Sequence, residues 1–84
     1  MCECYFVFNS LTGAQNASFM LKKNAIAAAV VSSHSEFASK GCGYAVRIDA
    51  DYVHSAASLL RRENIVFTNA YRLCIGNTPE EVVV

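Results

Sequence analysis

The sequence predicts an α+β domain of the ferredoxin-like β-α-β-β-α-β type, a four-stranded antiparallel sheet with two helices on one face. Three observations lead there. Four apolar runs of strand length, at residues 4–8, 27–32, 42–48 and 66–73, are rich in β-branched and aromatic side chains. Two further segments, 14–21 and 53–60, carry their apolar residues at helical spacing. No repeat, low-complexity run or linker interrupts the order, and the single proline, Pro79, falls near the C-terminal end. Residues 1–75 read as one domain and 76–84 as a tail.

Each element has its own signal. Cys4 to Phe8 is a continuous apolar run closed by Asn9-Ser10-Leu11-Thr12-Gly13, which supplies turn and N-cap residues. A helix follows, with Ala14, Ala17, Met20 and Leu21 on one stripe, Phe19 off it, Lys22 and Lys23 in the last turn and Asn24 as the stop. Ala27 to Ser32 is a short strand whose triple alanine is weak strand material. Residues 33–41 (SHSEFASKG) form a polar loop, longer than the ~2–5 residues of most hairpins. Cys42 to Ile48 is the third strand, and Asp49-Ala50-Asp51 begins a second helix whose stripe is Val53, Ala56, Ala57 and Leu60. Val66 to Leu73 is the fourth strand, and the EEVVV tail is ordered only if something pairs with it.

Composition narrows the function classes. The 84 residues are 54% hydrophobic, and seven basic side chains cancel seven acidic ones. That is too apolar for a disordered segment and too neutral for a basic nucleic-acid face or an anionic-membrane binder. No run of ~18 apolar residues is present to span a membrane. The segment MCECYFVFN lacks a basic n-region, a long apolar run and an A-x-A cleavage site, so a cytoplasmic protein with reduced thiols is expected. Gly13, Gly41 and Gly43 make no phosphate-loop pattern, and no cofactor is expected.

The four cysteines divide by topology. With strand order 4-1-3-2, the start of the third strand lies at the same end as the N-terminus of the first helix. Cys42 then faces Ser10, Thr12 and Gly13. Cys2, Cys4 and Cys74 gather at the other end. A thiol becomes nucleophilic when its pKa falls, and a helix N-terminus or a nearby cation lowers it. Lys40 is two residues before Cys42, Gly43 allows close backbone approach, and His34 in the same loop is a candidate base. Arg47, an odd number of residues along the strand, falls on the opposite face. A small apolar side chain packed at a strand end is the competing reading of Cys42.

The succession VFNSLTGAQNASFMLKKNAI, then VVSS, a polar loop and CGYAVRI before an acidic helix start resembles a family of very small bacterial proteins described as selenium/sulfur carrier-like. The shared points are the Ser10 turn, the Leu21-Lys22 helix end, Ile26, and Cys42-Gly43 with Ala45 and Arg47 behind it. The resemblance implies a carrier, more than an enzyme with turnover, that holds a persulfide or perselenide on Cys42 and works with sulfur or selenium donor and acceptor proteins. The sequence departs from the pattern at Gly13, where an acidic residue is usual, at Ala25, where a glycine is usual, and in the loop Ala38-Ser39-Lys40-Gly41.

Two other readings stand beside it. Cys2-x-Cys4 with Cys74 offers three thiolates for Zn²⁺ or Cu⁺, without an evident fourth ligand, and the favoured competing reading is terminal disorder for Cys2 with ordinary sheet packing of Cys4 and Cys74. Strand one is apolar on both faces through Tyr5, Phe6, Val7 and Phe8, with Phe67 and Tyr71 on its neighbour. This pattern suits a non-catalytic dimerising module and an expected homodimer, in which the tail adds a strand. His54 reads as solvated, and Asp49 and Asp51 as helix-capping residues.

Overall fold

The computed structural model describes residues 2–32, 43–74, 76 and 80–82. The elements are β1 (Cys2–Phe8), α1 (Leu11–Lys23), β2 (Ala29–Ser32), β3 (Tyr44–Asp49), a 3-10 turn (Ala50–Tyr52), α2 (Val53–Arg62), β4 (Asn69–Cys74) and β5 (Glu80–Glu81). They build a five-stranded sheet in the order β2-β3-β1-β4-β5, with every neighbouring pair antiparallel. The α+β class and the order of the first four strands follow the sequence reading; the strand count does not. The tail residues Glu80 and Glu81 pair with Arg72 and Tyr71 and extend the sheet. The Glu80 carboxylate lies 3.7 Å from the Arg72 guanidinium, and Asn69 donates to Glu81 Oε2 at 3.0 Å.

The alternation along β1 sorts the core. Cys4, Phe6 and Phe8 face the helices and pack with Ala14, Ala17 and Leu21 of α1, Ala56, Ala57 and Leu60 of α2, and Val46 and Ile48 of β3. Phe6 meets Phe67 edge to face at 4.8 Å. Tyr5 and Val7 point to the other face, where they cluster with Ala45, Val31, Tyr71 and Leu73. The alanines of both helices are fully buried, so the helices can lie close to the sheet.

The two helices share one device at their C-terminal ends, while α1 alone carries a side-chain cap at its start. Ser10 caps α1 by accepting a bond from the Gly13 N–H at 3.1 Å. At the C-terminal end Ile26 N–H reaches Leu21 O at 2.9 Å and Ala25 N–H reaches Lys22 O at 3.1 Å, with Ala25 at φ 65°. The same pattern closes α2 through Ile65 to Leu60 and Asn64 to Arg61, with Asn64 at φ 59°. Both are Schellman motifs, and each carries its hydrophobic contact between the residue after the turn and the last buried leucine. Alanine in the left-handed region is costly, so Ala25 marks the position where a glycine would fit without strain.

Several boundaries shift from expectation. Val66 is 84% exposed and belongs to no strand; Thr68 instead hangs on Val7 O through its N–H and hydroxyl, and β4 starts at Asn69. Phe67 therefore packs on the helix face rather than lying on a strand beside Tyr71. The second helix opens with a 3-10 turn because the Asp49 side chain accepts from Asp51 N–H at 3.0 Å and tightens the chain there. Ala27 and Ala28 stay outside both α1 and β2. No helix among the described residues is long and apolar enough to cross a membrane.

Candidate thiol site

The register fixes which residues share each end of the sheet. Phe8 pairs with Tyr44, and Tyr44 also pairs with Ser32, so Gly43 adjoins the segment Asn9–Ser10 that leads into α1. Cys42, Lys40 and His34 lie outside the described residues. The described part of this end is Ser10, Thr12, Gly13 and the half-buried Gly43. The first turn of α1 contains no acidic side chain, while Lys22 and Lys23 occupy its last turn, so no carboxylate there opposes an anion at the N-terminus.

Gly13 contributes less than the sequence suggests. Its N–H is already bonded to Ser10 Oγ, which leaves the Leu11 and Thr12 amides as the more available donors of the first turn. A Cβ at position 13 would stand 3.2 Å from Ser10 Oγ and 3.5 Å from Phe8 Cδ2, so the glycine lets the cap close tightly against β1.

Arg47 is not brought to this end. It sits four residues beyond Gly43, about 13 Å along the strand, on the face with Tyr5. There its Nε lies 3.6 Å from the Glu3 carboxylate. The Tyr5 hydroxyl donates to Glu3 Oε1 at 3.2 Å, and burial, with the Glu3 carboxylate, raises the pKa of that phenol.

The opposite end of the sheet holds Cys2, Cys4 and Cys74. Cys2 faces Cys74 in the β1–β4 register, with Cα atoms 4.1 Å apart, and the two form a disulfide across 72 residues of sequence. This corrects the expectation of reduced thiols throughout the chain: opposed positions on adjacent strands bring the sulfurs together. Cys4 shares their face but is 1% exposed. Burial pushes its thiol up to about 11, against smaller opposing effects from the Tyr5 backbone hydrogen bond and the Arg72 charge. The disulfide takes two of the three thiolates that a Cys2, Cys4 and Cys74 metal site would need. Among the described residues no group of three or more His, Cys, Asp or Glu side chains is arranged to hold a metal.

One residue and one bond of this end escaped the sequence reading. Arg72 stands opposite Cys4 on β4, on the same face as Cys74, and no motif marks it. The disulfide itself was signalled by the topology that gathers Cys2 and Cys74, but the inferred compartment argued against it. Among known proteins, the model of a family described as "Putative Se/S carrier protein-like" matches residues 3–72. No curated protein and no solved structure matches the chain.

Proposed function

The chain belongs to the Se/S carrier protein-like family, and on that membership we propose that it carries sulfur or selenium as a persulfide or perselenide on Cys42. The supporting observation is the extent of the match, which runs through the Cys42-Gly43 junction and both strands that flank it. The fates of the remaining cysteines agree with the choice. Cys2 and Cys74 are joined to each other, and Cys4 is buried with a thiol that stays protonated at neutral pH.

The chemistry is thiol exchange with a sulfane donor. The Cys42 thiolate attacks the outer sulfur of a donor persulfide, R–S–S⁻, forming Cys42–S–S⁻ and releasing R–S⁻. Delivery reverses the step: an acceptor thiolate takes the terminal sulfur and Cys42 returns as thiolate. Electrons balance in both directions, so no outside oxidant is needed. The Leu11 and Thr12 amides of α1 supply electrostatic support for an anion at this end. The donors and acceptors are proteins bearing persulfide or thiol groups, and the setting is cytoplasmic.

Mass spectrometry after incubation with a cysteine desulfurase and cysteine tests the reading. The expected result is one added sulfur mapped to the Cys42 peptide and lost in Cys42→Ala. An adduct that forms equally on Cys42→Ala overturns it.

A further inference from the structure

The disulfide end contains a feature the carrier reading does not use. Cys2 is half-buried and lines an open cavity of about 400 Å³ together with Asp49, Ala50, Asp51 and Arg72. Cys74 is not among the described lining residues, so a small molecule entering the cavity meets Cys2 and not its partner. The cavity's charge is also defined. Among the described residues two carboxylates line it, and the cation there, Arg72, is engaged by Glu80 at 3.7 Å. The field at Cys2 therefore favours an approaching group of positive charge.

We propose that Cys2–Cys74 is a thiol–disulfide exchange site, entered through this cavity and selective for small cationic aminothiols. The thiolate of the entering molecule, R–S⁻, attacks Cys2 Sγ and breaks the Cys2–Cys74 bond. It forms Cys2–S–S–R and leaves Cys74 as thiolate on the same face as the Arg72 guanidinium. A second R–S⁻ then attacks the mixed disulfide at the sulfur of R, yielding R–S–S–R and the Cys2 thiolate. Two electrons pass from two aminothiols to the protein disulfide.

The experiment uses the intact, oxidised protein and three small thiols of similar size: cysteamine, 2-mercaptoethanol and 3-mercaptopropionate. Rates are compared per thiolate, because the three thiols ionise differently. Acid quenching and peptide mapping locate the mixed disulfide. The expected result is reduction of the folded protein at low salt, an adduct on Cys2 rather than Cys74, and cysteamine faster than mercaptopropionate by at least about threefold. The preference should narrow at high salt and in Asp51→Asn, which leaves the Asp49 cap in place. Reduction that occurs only at the rate of global unfolding, an adduct mapped to Cys74, or equal rates for the charged thiols overturns the proposal. The adduct is read on Cys2, so its failure is distinguishable from failure of persulfide loading on Cys42.

Discussion

The two ends of the sheet are built in opposite ways. At one end β1 and β4 bring two sulfurs into register, bond them, and bury a third beneath α2 and the 3-10 turn. At the other, β3 starts beside the capped N-terminus of α1, whose first turn carries no carboxylate. A thiol's chemistry is thus set by position in the ladder: cross-strand opposition gives a cross-link, deep burial gives an inert thiol, and a strand start beside a helix N-terminus favours an anion.

Removing the cross-link is the strongest perturbation of the first end. A disulfide spanning 72 residues is worth about 4 kcal/mol in the chain-entropy account. Cys2→Ser, Cys74→Ser and the reduced protein should each melt more than ~10 °C below the oxidised form by differential scanning calorimetry. Oxidised and reduced forms that melt together would mean that the packing of Cys4, Phe6 and Leu60, rather than the cross-link, holds that end.

The buried thiol gives the next effect, and it depends on pH. An ordinary cysteine ionises near 9.0, whereas Cys4 in the fold does so at about 11. Between these values the unfolded chain has released a proton that the folded chain still holds, so stability falls as pH rises from 9 to 11. The loss approaches about 3 kcal/mol at the upper limit. Urea titrations of the oxidised protein at a series of pH values should show this decline, and Cys4→Ala should reduce it to the part owed to the raised Tyr5 phenol. A decline of the same size in Cys4→Ala would assign it to another group.

How much of this was legible beforehand follows from what pattern can encode. Helical spacing marked Ala14, Ala17 and Leu21 as buried and Phe19 as exposed, and all four are so. Strand alternation and the β-α-β-β-α-β order placed Cys2 near Cys74 before any coordinates. What pattern could not encode was competition. Val66 to Thr68 has strand composition, yet the chain spends Thr68 on tying itself to Val7 O and seats Phe67 against Phe6. The tail was read as an added strand only within the dimerising module, because two glutamates have low strand propensity; pairing with Arg72 and Tyr71 overrides it. Ala25 was visible as a departure from the family's glycine, and only the backbone shows why glycine is usual there, at φ 65°. Arg47 was grouped with Cys42 by the resemblance, but it stands opposite Tyr5 and Glu3 occupies its charge.

The smallest expected effect tests whether the two ends are independent. Ser10 Oγ satisfies one of the orphan amides of α1, and Ser10→Ala should cost about 1 kcal/mol. The cap touches only the first turn, so the change should be local. Hydrogen exchange should quicken at Gly13 and its neighbours, while the β1–β4 amides around Cys2 and Cys74 keep their protection in the oxidised protein. The cross-link supplies the reason: a covalent bond between the outer ends of β1 and β4 holds those strands paired even when the far end of β1 frays. Reduction of the disulfide should remove this insulation and let the Ser10→Ala effect spread along β1. Equal acceleration at both ends in the oxidised protein would show instead that α1 and the cross-linked strands open as one cooperative unit, and that the separation between the capped end and the cross-linked end is chemical but not energetic.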